Sequence, residues 1–303
     1  MLPHTTSLGM PETLRKLFPR TVWKVRTVFA QGVLYAASVG GPPSSRRSAL
    51  MPAHSPLRVL HVIAPASFGG LEQVVLQLAA GRAARGLPTE VFILLTEGSS
   101  TPTIVEMLER AGVRATVVRV AHRAYRKEQE AIRAAATTFR ADVVHTHGYH
   151  TDVLAPKPAR AAGCALVSTA HGFASTDIKG RLFEWLERRA WRRFDVVVAV
   201  SGPLQARLVR SGVPDAVVAL CPNAWSGAAP LDRASARARL GLAPSGQFVG
   251  WVGRLSLEKG ADVMVRALAP LPAEIGLVMI GDGPERNALA RLANELGVAS
   301  RIT

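Results

Sequence analysis

From Leu57 onward the chain alternates short β-branched apolar runs with longer stretches of helical character, and this alternation limits the fold more than any other feature. The runs are LRVLHVI, TEVFILL, ATVVRV, DVVHTHG, ALVSTAHG, DVVVAVS and AVVALCPNA. Between them lie LEQVVLQLAAGRAARG, PTIVEMLERAG, YRKEQEAIRAAATTF, a basic segment and PLQARLVRSG. Strands that are apolar almost throughout must be buried on both faces, and strand–helix succession makes the sheet parallel with helices above and below it. The expected fold is α/β and doubly wound.

A second start follows NAWSGAAPLDRASARARLGLAPSG, which reads as a connecting loop. QFVGWVGRL and EIGLVMIGDGP read as strands, EKGADVMVRALAPL and ERNALARLANELG as helices, and RIT as the opening of another strand. A doubly wound domain normally carries about five or six strands, so this second domain reads as incomplete. The expected division is residues 57–222 and 223–303. A length of 303 residues with 48% hydrophobic and 19% charged content suits two packed cores rather than a disordered chain.

Residues 1–56 differ in kind. Arg15, Lys16, Arg20, Lys24, Arg26, Arg46 and Arg47 face the single acid Glu12, and the exit is rich in Gly, Pro and Ser. Met51 opens a short polar lead into the first strand, so this segment reads as a disordered extension or a start-site overcall, with Met1 and Met51 both open as starts. The run VFAQGVLYAASVG has the size of a signal-peptide core. No stretch reaches the roughly 20 apolar residues of a bilayer span, so any membrane contact is expected to be peripheral. Cys164 and Cys221 lack disulfide-framework or metal-ligand spacing, which fits a reducing cytoplasm. The net charge of +15 points to an acidic partner, although the richness in Ala, Gly, Pro and Arg also carries the signature of a GC-rich genome. Nucleic acid is disfavoured, because no helix-turn-helix, RRM or zinc signature accompanies the charge.

Three places hold candidate chemistry. Ala66-Ser67-Phe68-Gly69-Gly70-Leu71-Glu72 joins the first strand to a helix. Its glycines serve either a close phosphate approach at a helix N-terminus or a turn needing positive φ; G-x-G-x-x-G is absent. Arg254 and Lys259 flank the end of the first strand of the second domain, with Lys259 expected in the first helical turn, where two cations suit a diphosphate. His145, His147 and His150 form H-T-H-G-Y-H, but no acid or cysteine nearby completes a ligand set, so no metal site is expected. D-x-D is absent as well.

The ordered set RVLHVI, FGGLEQVV, VVHTHG, VSTAHG, DVVVAVS, PNA, VGRLSLEKG and MIGDGPE resembles the family 4 retaining glycosyltransferases of the GT-B fold, from Leu57 to the end. The resemblance implies two Rossmann-like domains, the first on the acceptor side and the second binding the donor. It implies that Gly69 and Gly70 face the donor diphosphate and that Arg254 and Lys259 neutralise it. His171 would then be the catalytic histidine beside the transferred sugar, and His147 an acceptor-side residue. A nucleotide-sugar acts as co-substrate with no metal or other cofactor. The acceptor is expected to be a lipid-linked or envelope saccharide, and the enzyme cytoplasmic with peripheral contact to the inner face of the plasma membrane. Ala224-Trp225-Ser226 departs from the family pattern after Pro222-Asn223, and the family's pair of glutamates eight positions apart falls beyond Thr303. Sugar transfer by this chain alone is therefore not expected. A non-catalytic nucleotide-sugar or phospholigand-binding fragment, and a sugar-nucleotide epimerase of similar fold, remain open from the sequence.

Overall fold

The computed structural model describes residues 56–65, 69–172, 178–224 and 229–303, and of residues 178–181 only the backbone. The expectations for residues 1–55 and for Ala66–Phe68 lie outside the described residues. The chain divides into two compact units, Met1–Ser226 and Gly227–Thr303.

The first unit runs β1 (Val59–Ile63), α1 (Gly70–Ala83), β2 (Thr89–Thr96), α2 (Thr103–Arg110), β3 (Arg114–Val120), α3 (Tyr125–Phe139) and β4 (Val143–His147). It continues with α4 (Tyr149–Leu154), α5 (Pro156–Ala161), β5 (Ala165–Ala170), α6 (Ile178–Trp191), β6 (Val196–Ala199), α7 (Gly202–Arg210) and β7 (Val218–Leu220). The seven strands form one sheet in the order β3-β2-β1-β4-β5-β6-β7, parallel throughout. Right-handed crossovers put α1 and α2 on one face; once the chain re-enters at β4 and travels the other way, its helices fall on the opposite face.

Side-chain alternation along each strand assigns the two cores. Ile63, Val91, Ile93 and Leu95 pack under Val75 and Ala79 of α1 and Ile104 and Leu108 of α2. Leu60, Val62, Phe92, Leu94, Val144, Leu166 and Val197 meet Ile132 and Ala136 of α3, Ala159 of α5, Trp191 of α6 and Leu208 of α7. The sequence reading does not anticipate α4 and α5. They form because Pro156 takes the first position of α5, where its missing N–H costs nothing.

Two Asp-Val-Val triplets share one device. Asp142 precedes β4 and its carboxylate accepts the amide of Arg58 at 2.8 Å, at the entrance of β1. Asp195 precedes β6 and accepts the amide of Leu166 at 2.8 Å, while holding Arg160 at 2.8 Å. Each aspartate satisfies a strand-entry N–H that the ladder leaves open.

The second unit carries α8 (Arg233–Arg239), β8 (Gln247–Val252), α9 (Ala261–Leu268), β9 (Ile275–Ile280) and α10 (Arg286–Glu295). β8 and β9 pair in parallel, and Ile302 bridges to Leu277 in the same sense on the β9 side. Leu255, Val265, Leu268, Leu277, Leu289 and Val298 form its core. α8 corrects the reading of 223–246 as loop: Asp232 caps it by accepting the Ser235 amide at 3.0 Å, and the alanines and arginines that follow are good helix formers.

Replacing Asp195 with alanine leaves the Leu166 amide without its acceptor. The expected cost is about 1 to 3 kcal/mol, read as a lower urea midpoint at unchanged m-value. Asn, which keeps one acceptor oxygen, should recover much of it.

Candidate functional site

β1 and β4 lie side by side, yet the chain leaves β1 toward β2 and leaves β4 toward β5. Their carboxyl ends therefore open a crevice, the place where doubly wound sheets take ligands. Ile63 stands opposite His147 in the register, so the loop after β1 and the end of β4 reach the crevice together. A Cβ built on Gly148 would sit 3.2 Å from Leu71 Cδ1, which places the first turn of α1 against the end of β4.

Gly69 is the N-cap of the 14-residue α1, with φ −155, and neither it nor Gly70 has positive φ. The turn reading that requires positive φ does not apply to them. Gly69 donates its amide to Glu72 Oε2 at 2.9 Å, so part of the helix N-terminus is already matched by a buried carboxylate. A Cβ on Gly70 would meet nothing within 4 Å, and the amides of the first turn precede the first helical donor, Gln73.

Register and alternation gather histidines on the α1 side of the sheet. His61 in β1 pairs with His145 in β4, His147 lies two residues further, and His171 follows β5. His61 Nδ1 faces His147 Nε2 at 3.1 Å, and His145 Nε2 faces the Thr169 hydroxyl at 2.8 Å. The His147 and His171 rings are 5.8 Å apart. Burial pushes His61 down to about 3, helped by the charge of Arg82. Burial likewise holds His145 and His147 well below the usual imidazole range, each also under the influence of its histidine neighbours, and brings His171 down to about 4. All four rings are therefore neutral at neutral pH. His61 Nε2, His147 Nδ1 and His171 Nε2 are buried without a hydrogen-bond partner.

His150 does not join this group. Because β4 ends at His147, His150 sits on α4 and meets Glu128 Oε2 at 3.0 Å. His61 takes its place, and the ring nitrogens of His61, His145 and His147 lie within 4.8 Å of one another, a spacing that an ion could bridge. The sequence reading weighed only the local H-T-H-G-Y-H string and missed His61, whose one signal is a histidine inside an apolar strand.

Beneath the stripe, on the other face, lies a second group that the sequence reading missed. Asp152 of α4 accepts from the Thr146 hydroxyl, from Ser168 at 2.9 Å and from the Trp191 indole at 3.0 Å. Thr146 lies between His145 and His147 and Ser168 precedes Thr169, so Asp152 ties together the ends of β4 and β5. Burial raises the Asp152 carboxyl against the pull of these donors, and burial together with Asp152 raises Glu187 of α6, so the pair holds a proton.

In the second unit, Arg254 follows β8 and binds Glu258 at 2.6 Å, with both side chains about half exposed. Lys259 is exposed and belongs to the 3₁₀ turn Leu257–Lys259, not to the first turn of α9; Gly260, at φ +64, separates the two. The Gly281-Asp282-Gly283 stretch packs directly on this segment, with the Leu255 amide reaching Asp282 O at 3.0 Å. A Cβ on Gly283 would lie 2.3 Å from Leu255 O. The two motifs are one backbone unit that holds Arg254 at the strand end.

A doubly wound parallel sheet with a glycine-entered helix and polar side chains at its switch point defines a Rossmann-like ligand-binding unit of the GT-B type. The Glycosyl transferase 4-like domain matches residues 69–224, and the chain belongs to that family. A D-inositol 3-phosphate glycosyltransferase of Mycolicibacterium gilvum is 30% identical over 88% of this chain and 66% of its own length. One of Rhodococcus jostii is 31% identical over 78% and 59%. The crystal structure of Anabaena HepE in complex with UDP-glucose superposes with a TM-score of 0.69 at 19% identity, covering 82% of this chain and 68% of the other. The chain thus spans about two thirds or less of the curated relatives it matches.

The Asp152–Glu187 pair predicts a pH signature. Both carboxyls are raised, so the folded state keeps a proton that the unfolded chain releases near pH 4, at about the ordinary carboxyl value. That contribution is complete below the unfolded pKa and is lost as pH rises through the folded ones. Glu187→Gln carries its hydrogen permanently, so its melting temperature should fall less than that of the parent between about pH 6 and 9. Parallel curves for the two proteins would show that the pair holds no proton.

Proposed function

We propose that the enzyme to which this chain belongs moves a sugar from a nucleotide-diphosphate donor to a hydroxyl acceptor, with retention of configuration and without a metal. The observation that carries this reading is His171: a partly buried, neutral imidazole with a buried, unpartnered Nε2 just after β5, in a chain of a glycosyltransferase family. A neutral imidazole there offers a hydrogen bond to a sugar hydroxyl and leaves positive charge free to build on the sugar ring in an oxocarbenium-like transition state. His147, held by His61, lies on the acceptor side of the same crevice. The free amides of the first turn of α1 face the donor phosphates, and Arg254 and Lys259 take up the charge of the leaving diphosphate. The neighbour with bound UDP-glucose supports a uridine diphosphate sugar as the first donor to try.

The histidine cluster acts as a hydrogen-bonded scaffold, with His61 Nδ1 against His147 Nε2 and His145 Nε2 against Thr169, while His61 Nε2 and His147 Nδ1 keep no partner. In the complete enzyme, transfer should therefore survive EDTA, and a metal requirement would overturn this part. His171→Ala in the complete enzyme should lower kcat far more than it lowers donor affinity or melting temperature. Lys259→Ala in the complete enzyme should weaken UDP binding by about 1.5 to 3 kcal/mol in calorimetry, the worth of a charge-assisted hydrogen bond. UDP binding without transfer to any saccharide acceptor would favour the binding-fragment reading, and epimerised free donor would favour an epimerase.

The acceptor is proposed to be lipid-linked, in envelope polysaccharide synthesis, with the protein resting on the inner face of the plasma membrane. Among the described residues no helix is long and apolar enough to cross a membrane. α6 has a core side, where Ala190, Trp191 and the following Phe194 are buried, and an outer side with Leu182 54% and Trp185 51% exposed. Arg189 lies over the Trp185 ring at 5.9 Å, and a hollow of about 290 Å³ is lined by Trp185, Arg188, Arg189, Arg192 and Ser211. Apolar tips among arginines suit anionic headgroups. Arg188 is less available than its position on the helix implies, since it pairs with Glu184 at 3.6 Å. Flotation with anionic liposomes should fall when Arg189 and Arg192 become glutamate, while equal flotation with neutral liposomes would remove the membrane role.

A further inference from the structure

Three buried ring nitrogens on the crevice face, His61 Nε2, His147 Nδ1 and His171 Nε2, have no hydrogen-bond partner. The first two belong to rings that already meet, since His61 Nδ1 faces His147 Nε2 at 3.1 Å. Both rings are neutral, so each carries one N–H, and the single hydrogen between the facing nitrogens decides where the other one sits. With that hydrogen on His147 Nε2, His61 bears a second, buried N–H at Nε2. With it on His61 Nδ1, the free N–H falls on His147 Nδ1. Either arrangement leaves one unused donor and one unused acceptor, and the unused N–H is the costlier to bury. The two sites differ in what can relieve it. His61 is 1% exposed, inside β1, with the His145 and His147 rings 5.0 and 5.3 Å away. His147 ends β4 at the crevice, and its ring is 5.8 Å from that of His171, which is only partly buried. A ligand in the crevice can take up a donor at His147, whereas nothing relieves one at His61 Nε2.

We infer that His61 is a positioning residue: it donates its Nδ1–H to His147 Nε2 and thereby fixes His147 as the Nδ1–H tautomer, whose free donor is satisfied by a ligand oxygen. The sheet makes this possible, because the register sets His61 opposite His145 and alternation returns His147 to the same face. His145 does not compete, since its Nε2 meets the Thr169 hydroxyl at 2.8 Å. The tautomer limits what His147 can do. Its lone pair, on Nε2, is committed to His61, so it has no free basic nitrogen and does not take the proton of an acceptor hydroxyl. It can only donate, and its ligand is an oxygen with a free lone pair, such as a saccharide hydroxyl. That choice of ligand rests on the glycosyl-transfer reading above; the tautomer does not. The histidine inside apolar β1 then has a reason: an aliphatic residue there would leave His147 free to adopt either tautomer.

Nitrogen NMR reads the tautomer directly. In the 303-residue chain carrying nitrogen-15 histidine, two-bond proton–nitrogen correlation at neutral pH distinguishes a hydrogen-bearing ring nitrogen from a bare one. Signals lost in His61→Phe and in His147→Gln assign the two rings. Both should carry their hydrogen on Nδ1. His61→Phe should turn His147 into a mixture of tautomers, and His61→Asn, whose side-chain amide can donate from the place of Nδ1, should restore the Nδ1–H form. A hydrogen on His147 Nε2 in the parent chain would overturn the inference, as would a His147 tautomer unchanged in His61→Phe. Should His61→Phe fail to fold, the parent spectrum, assigned through His147→Gln, decides alone. In the complete enzyme, His61→Phe should raise the acceptor KM roughly three- to ten-fold, the worth of one hydrogen bond, with kcat less affected. An unchanged KM would remove the ligand role of His147. The spectrum needs no turnover, so a failure of the glycosyl-transfer reading and a failure of this one are told apart.

Discussion

The pairing of β1 with β4 is the constraint on which the first unit depends. Those strands are far apart in sequence, and their hydrogen-bonded register brings Ile63 opposite His147 and His61 opposite His145. Everything at the crevice follows from that register: the entry of α1 beside Gly148, the imidazole stripe, and the reach of His171 toward it from β5. A slip of one residue would send the histidines to the opposite face and place Thr146 and Ser168 in the crevice. Asp142 opposes such a slip, since it binds the one amide at the entrance of β1, and Asp195 fixes β6 against β5 in the same way.

The sheet is polar where it works and apolar elsewhere. On the crevice side, four neutral imidazoles and Thr169 stand where Val and Ile fill the rest of the layer. His61 and His147 face one another and His145 meets the Thr169 hydroxyl, and none of the rings carries charge, which lowers the cost of burying them; His61 Nε2, His147 Nδ1 and His171 Nε2 stay without a partner. On the far side, Asp152 satisfies Thr146, Ser168 and Trp191 together, so the polar residues that alternate with the histidines also find partners. The acid itself remains tolerable by sharing a proton with Glu187. The crevice is thus backed by a hydrogen-bonded network that crosses from α4 to α6, the helix whose other side carries Trp185 and the exposed arginines.

The second unit solves a smaller problem with backbone alone. Arg254 must leave β8 and point outward, and the segment that carries it is held by the Gly-Asp-Gly stretch lying against it. Only glycine permits that contact, as the 2.3 Å that a Cβ on Gly283 would face shows. The motif reads as a fingerprint because its geometry leaves no room for a side chain.

The doubly wound α/β class, the parallel sheet, most helix limits and the family were legible in the sequence, because they rest on local periodicity and on motifs contiguous in the chain. The extent of α3 was readable residue by residue from YRKEQEAIRAAATTF, since a good helix former sequence needs no partner to declare itself. Other features came only from the folded chain. His61 could not be joined to His145 and His147, nor His150 removed from them, without the register that pairs β1 with β4. Asp152 and Glu187 are separated by helix α5, strand β5 and a loop, and nothing local marks them as a pair. Trp191 stands among arginines in the sequence, yet it is one of the most deeply buried residues of the fold. Local patterns decide which residues form strands and helices; which side chains meet is decided by strand order and register, and these depend on contacts between residues distant in the chain.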